Sequence, residues 1–476
     1  AVAQDWTGAI RGGSSLGFPL KEHRMDAIHP DRQALEKYSQ AGASAAEERW
    51  IESHLRSGCR VCQREVDDLL SAMNPSPQDA TTLDGEEESA LVSQGLFARL
   101  ERRLTEVREE RREAPPLVAE LLGHAAPQRR LLVCQAGRFQ TLAVCELLID
   151  ACFEAGFRDA GEAVELAELS LLLTCQLDAG YYGPSVVMDL RARAWAYLGN
   201  ARRIAFDLAG AEEALLEAER HAEGGSADPL EEARILDLRA SLLGDQGRFE
   251  QAAELLDVAI DIYDDLREPH RKGRAMISQG AFLGQAGDTE EAIRQLRKGL
   301  SLVEWEREPR LVLLARHNLA WFLNDSGRSE EALQQLERFL HTYGEFPDAR
   351  TELRLAWLSG RIAARLAYLA EAERTFVEVR QGCLAEGYGY DAALVTLDLA
   401  QLYLQQGRNA EVRELAGGMI SVFLSQDVHR QAAAALAVFQ RAAELDTATP
   451  LLLEEIATYL RRARRNPRLR FAGAPA

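Results

Sequence analysis

From about residue 188 onward, small residues recur in the middle of one amphipathic stretch after another. They are Gly199, Ala240, Gly280, Ala320, Gly360 and Ala400, at intervals of 41, 40, 40, 40 and 40. Seven residues after the small position a turn glycine recurs, as Gly247, Gly287, Gly327 and Gly407, with Ala367 standing in its place once. Five residues further come Ala252, Ala292, Ala332 and Ala372, and four beyond these Leu256, Leu296, Leu336 and Phe376. A small residue lets the two helices of a hairpin approach closely, and the glycine closes the first helix in a left-handed conformation. The large apolar residue then packs into the next hairpin. The pattern predicts a stack of helical hairpins over 188–465. Ahead of it, 89–187 reads as a helical lead-in with degenerate repeats. It begins with a charged helix over 89–113 that Pro115-Pro116 stops, followed by amphipathic helices over 142–153 and 160–173.

Residues 25–73 read as a separate compact unit. Asp31 to Gln40 suits one helix, Ala41-Gly42-Ala43 breaks it, and Ser44-Ala-Ala-Glu47 is a capping box opening a second helix through His54. A third begins near Cys59 and runs toward Met73. Residues 74–88, NPSPQDATTLDGEEE, carry two prolines, a glycine and five acids, the composition of a linker. Residues 1–24 are rich in Gly and Ser and precede Met25; they read as a disordered extension, and 466–476 as a tail.

Composition narrows the function. A net charge of −20 on 476 residues argues against a nucleic-acid-binding body. Arg461 to Arg470 holds six arginines in ten residues, which fits a solvated capping helix with a frayed end. No stretch approaches the roughly 18 apolar residues of a membrane span. Cys134, Cys145, Cys152 and Cys175 lie in apolar helical stretches and read as small buried hydrophobes in a reducing cytoplasm; Cys383 reads as a plain helix-end cysteine. There is no phosphate-binding Gly-rich loop, no His-Glu-x-x-His and no nucleophile elbow, so the sequence does not read as an enzyme.

Two groups of residues carry candidate chemistry. His29 and His54-x4-Cys59-x2-Cys62 supply two imidazoles and two thiols, a ligand set suited to tetrahedral Zn²⁺. A unit of about 45 residues needs such a staple, because it buries too little core alone. The second group lies on one face of the repeated first helices. Counting from each small residue places Arg193, Asn200 and Arg203 there in one repeat, and Arg234, Asp237 and Ser241 in the next. Arg274 follows, then His317, Trp321 and Asn324, then Arg354, Trp357 and Arg361. Paired tryptophans with arginine neighbours have the make-up of a protein-binding hot spot.

Both groups resemble known families. Trp195-x2-Leu198-Gly199 with Ala211, Leu215 and Ala218, and the run Gly247-Arg-Phe-Glu-Gln-Ala-Ala253, resemble the tetratricopeptide repeat over roughly 140–465. The family's core repeat is about 34 residues, so the period here implies longer helices or connections. The resemblance implies an α-solenoid that binds a peptide or protein in its groove. The His-Cys-Cys cluster resembles the zinc-binding anti-sigma domain of bacteria, with four residues rather than the more common three between His54 and Cys59. It implies that His29, His54, Cys59 and Cys62 hold Zn²⁺ and that a sigma factor is the partner. Apolar positions of the third helix, Leu69 and Leu70, are then the expected contact. The expectation is an all-α regulatory protein, a small zinc-stapled helical head followed by a tetratricopeptide-repeat helical solenoid. The rival expectation is an adaptor assembling a multiprotein complex, its head only structural.

Overall fold

The structure, a computed structural model, describes residues 108–425 and 430–463, with residues 30, 32–39, 44, 47, 51, 105, 106 and 471 beside them. His29, His54, Cys59, Cys62, Leu69 and Leu70 lie outside the described residues, as does the expected linker at 74–88. The chain divides into two compact units, Ala1–Glu113 and Ala114–Ala476. In the first, a helix spans Arg32–Ser39, and Leu35 and Ile51 are buried. The capping box is formed. Ser44 N donates to Glu47 Oε2 at 2.7 Å, and Glu47 N donates to Ser44 Oγ at 3.3 Å.

One expectation fails just beyond. Pro115-Pro116 does not stop a helix; residues 108–122 are helical through both prolines. Each proline forfeits one backbone donor. The apolar stripe Ala114, Val118 and Leu121 is buried and holds the segment helical against that loss. The division between the units falls inside this helix, so most of the expected lead-in, 89–187, belongs to the second unit.

The second unit is built of helical hairpins. We number their helices α1 (Leu142–Ala155), α2 (Ala160–Thr174), α3 (Pro184–Ile204), α4 (Leu208–Glu223), α5 (Pro229–Asp245), α6 (Phe249–Asp265), α7 (Pro269–Ala286) and α8 (Thr289–Leu302). Then come α9 (Pro309–Asp325), α10 (Ser329–Tyr343), α11 (Ala349–Arg365), α12 (Leu369–Ala385), α13 (Gly389–Gln405), α14 (Asn409–Ser425), α15 (Arg430–Glu444) and α16 (Pro450–Ala463). Odd numbers are first helices and even numbers second helices. A helix over Ala126–Gln135 precedes them. No described residue is in a β-strand, and no helix among the described residues is long and apolar enough to cross a membrane.

The spacing of small residues does what the sequence predicts. A Cβ on Gly199 would stand 2.8 Å from Leu215 Cγ and 3.1 Å from the Ala211 carbonyl. A Cβ on Gly280 would meet Leu296 and Ala292, and one on Gly360 would meet Phe376 at 2.9 Å. These are the residues the period places opposite. The turn glycines Gly247, Gly287, Gly327 and Gly407 all have positive φ, and Ala367 takes the same conformation at φ 64°. So does Phe206, at φ 63°, after α3.

The helix starts are also periodic. Proline opens α5, α7 and α9 at positions 229, 269 and 309, where its missing N–H costs nothing. Aspartates cap others. Asp207 accepts from Gly210 N at 2.9 Å, and Asp348 from Thr351 N at 3.0 Å. The core is a succession of local clusters. One joins Val118 to Leu198, the next Ala192 to Leu242, another Ile277 to Ile362, and the last Trp357 to Ala463. Each buries apolar faces of neighbouring hairpins, as in repeat proteins generally.

The cysteines divide. Cys145 and Cys152 are buried as expected, and burial raises both thiols, Cys152 to about 12. Cys134 and Cys175 are exposed instead, because each sits at or beside a helix end rather than on a buried stripe. Cys383 is buried at the end of α12.

Candidate functional site

The face shared by the first helices carries the chemistry. Its proximal part draws on α1, α3, α5, α7 and the turn before α9. Arg193 on α3 is locked between two carboxylates. Its Nε lies 3.0 Å from Glu231 Oε2 on α5 and its Nη2 bonds Glu231 Oε1, while Nη1 is 3.5 Å from Glu146 on α1. Arg234 also pairs with Glu231. Burial disfavours the Glu231 carboxylate, but Arg193 and Arg234 outweigh it and hold it at about 2. Burial likewise opposes charge on Arg193, and Glu231 more than restores it.

Asn200 is buried, and its Oδ1 accepts from Arg203 Nε at 3.2 Å and Nη2 at 2.9 Å. Arg203 reaches on to Asp245. On α7, His270 Nε2 is 3.0 Å from Glu308 Oε1, and Arg274 Nε is 3.3 Å from Glu308 Oε2. Arg274 lies 5.4 Å over the Phe153 ring of α1. Two carboxyls facing these arginines, Asp150 on α1 and Asp237 on α5, are raised above the usual carboxylate range by burial. Among the described residues neither makes a close ion pair, and the arginines act on them from farther off.

The distal part draws on α9, α11 and α13. Trp321 meets Trp357 edge to face at 5.3 Å, and Arg361 lies 4.3 Å over the Trp321 ring. Trp357 is 8% exposed and belongs to the last core cluster, with its Nε1 donating to Asp398 Oδ2 at 2.7 Å. Trp321 is partly buried against the same cluster. His317 is buried beside Trp321, and its Nδ1 lies 2.9 Å from the Tyr343 hydroxyl. Burial pushes this imidazole down to about 3, with Arg354 adding to the effect.

Arg361 Nη2 donates to Asp325 at 2.8 Å, whereas Nη1 is buried, makes no hydrogen bond and lies 3.6 Å from Asp398. Asn324, 1% exposed on α9, also has an Oδ1 without a partner. A buried acceptor without a hydrogen bond and a buried donor held only by an ion pair thus stand on neighbouring first helices.

The predicted residues therefore fall in two groups. Arg193, Asn200 and Arg203 lie together in the proximal part, and Trp321, Trp357 and Arg361 in the distal part. The acidic partners Glu146, Glu231, Glu308, Asp325 and Asp398 went unpredicted. One period is the signal that finds most of them: Arg193 to Glu231 and His270 to Glu308 are each 38 residues apart, and Trp357 to Asp398 is 41. Among the described residues, no group of three or more His, Cys, Asp or Glu is arranged for a metal ion.

Repeated hairpins with this spacing of small residues make the second unit a tetratricopeptide-like helical solenoid. The chain is similar in fold to a Rap protein complexed with competence and sporulation factor, at 15% identity and a TM-score of 0.52, over 67% of this chain and 87% of that one. NprR in complex with its cognate peptide NprX is similar at 16% identity and a TM-score of 0.45, over 69% and 96%. Aspartyl phosphate phosphatase F from Bacillus subtilis is similar at 12% and 0.45, over 81% and 95%. No protein-family model and no curated protein sequence matches the chain.

Proposed function

We propose that this protein is a regulatory scaffold that receives an extended peptide or protein segment along the first-helix face. The observation that carries it is the buried pair Asn324 Oδ1, which has no hydrogen-bond partner, and Arg361 Nη1, which has only its 3.6 Å ion pair with Asp398. A buried polar group without a partner is costly, and a peptide unit supplies both complements, an N–H for the asparagine and a C=O for the arginine. Trp321 and the Phe153–Arg274 contact add partly exposed apolar and cationic surface on first helices. That a Rap protein of similar fold holds a factor supports the reading. The test is selection from a displayed random peptide library against the full chain. Selected peptides should bind about tenfold or more weakly to Asn324→Ala and Arg361→Ala, the loss that one or two good hydrogen bonds represent. Absence of any enriched peptide, or binding indifferent to both substitutions at unchanged helicity, overturns the proposal.

We propose that His29, His54, Cys59 and Cys62 hold one Zn²⁺, and that 25–73 sequesters a sigma factor through Leu69 and Leu70. Their sequence spacing supports this. Elemental analysis of the full chain should find one zinc, absent after Cys59→Ser with Cys62→Ser. Charge substitution at Leu69 should abolish sigma-factor binding while the zinc stays. Metal-free protein purified under reducing conditions refutes the metal site; zinc-loaded protein that captures no sigma factor refutes the partner.

A further inference from the structure

A cleft of about 490 Å³ lies between the second helix α6 and the hairpin α7–α8. It shares no residue with the face described above. Glu250, Glu254 and Asp257 line it from one side of α6, and Asp288 and Glu291 from the start of α8. Glu250, Glu254, Asp257 and Asp288 enter no ion pair among the described residues. Acidity alone marks nothing in a chain this acidic. The floor is more specific.

Gln279 on α7 is 2% exposed, and its Nε2 donates to Ala253 O at 3.1 Å and to Asp257 Oδ1 at 2.6 Å. These two acceptors fix the amide's orientation, and its Oε1 is left without a partner. Gln295 on α8 repeats the arrangement. Its Nε2 donates to Glu291 Oε1 at 2.8 Å, and its Oε1 is buried and unpartnered. Two orphaned carbonyl acceptors in one carboxylate-lined cleft call for a cationic group with several N–H donors.

We propose that this cleft binds the guanidinium of an arginine side chain presented by a partner protein. A guanidinium offers five donors in a planar fork, enough to serve both amide oxygens and still face the carboxylates. Its methylene stem matches the apolar remainder of the wall, Ala253, Leu283 and Ala286. The carboxylates are not gathered tightly enough to hold a metal ion instead. The site is independent of the first-helix face, so the scaffold gains a second contact for a protein that does not enter the first.

The test uses the full chain and a fluorescein-labelled peptide with one arginine between glycines, read by anisotropy at low salt. Replacing arginine by citrulline, which keeps the shape and removes the charge, should weaken binding about tenfold or more. Glu250→Gln with Glu254→Gln should weaken the arginine peptide equally, because both side chains are exposed and make no ion pair among the described residues. Glu337→Gln with Glu378→Gln, which removes two exposed acids elsewhere, should leave it unchanged. Equal binding of the citrulline peptide, equal loss in both double variants, or no detectable arginine peptide bound overturns the proposal. A lysine peptide binding as tightly as arginine overturns the guanidinium assignment.

Discussion

Ala367 occupies a turn where the glycine rhythm lapses, as Phe206 does earlier, yet its backbone is left-handed like the others. That conformation strains any residue with a Cβ, by about 1–2 kcal/mol. Ala367→Gly should therefore stabilise the protein, by about 0.5–1 kcal/mol after glycine's larger unfolded-state entropy is counted. Urea unfolding checks this, and a loss of stability refutes it. His317 gives a pH dependence. Its folded pKa is depressed to about 3 by burial, while the unfolded imidazole titrates near 6.5. Above pH 6.5 both states hold it neutral and its contribution is full; as pH falls from 6.5 toward 3 only the unfolded state gains the proton, and stability is lost. By pH 5 the loss amounts to about 2 kcal/mol. His317→Gln keeps a hydrogen-bonding group opposite Tyr343 and removes the titration. The stability difference between wild type and variant should shift by that amount between pH 7.5 and 5, and parallel pH profiles rule it out.

Hairpins meet along their first helices through charges one period apart, and this governs what a single substitution does. Glu231 on α5 neutralises Arg193 on α3 and Arg234 on its own helix, nearly out of contact with water. Removing one partner of such a pair strands the other, at a cost of about 3–5 kcal/mol. Glu231→Gln should lower the melting temperature accordingly, and Arg193→Met with Glu231→Leu should recover part of the loss, Arg234 still lacking its carboxylate. A double variant as unstable as the single one would assign the damage to packing. The same scale shows what the sequence made legible. Gly199, Gly280 and Gly360 announce close helix packing because a side chain there has nowhere to go, and the structure places Leu215, Leu296 and Phe376 against them. Arg193, Asn200 and Trp321 were placed by helical register alone. Their partners were not, because an ion pair between hairpins leaves no trace within a single helix. Pro115-Pro116 misled for a related reason: local preference argued for a stop, and burial of Ala114, Val118 and Leu121 decided otherwise.

In the second unit, each core cluster draws on neighbouring hairpins, so damage should stay local. Leu296 on α8 is fully buried under Gly280. Leu296→Ala should cost about 2–5 kcal/mol. In a stack with nearest-neighbour coupling, hydrogen exchange should quicken in α7 to α10 and leave α1 to α3 at wild-type rates. Uniform acceleration across the unit would instead show one indivisible core. The serial arrangement also has a mechanical consequence. Tension applied between residues 114 and 463 passes through every hairpin in turn, and the stacking of Arg274 on α7 over Phe153 on α1 is a small brace against it. A single molecule pulled from those two points should lengthen in a staircase of small, similar steps, each the release of one hairpin of about 40 residues, and on relaxation should rewind from whichever hairpin held last.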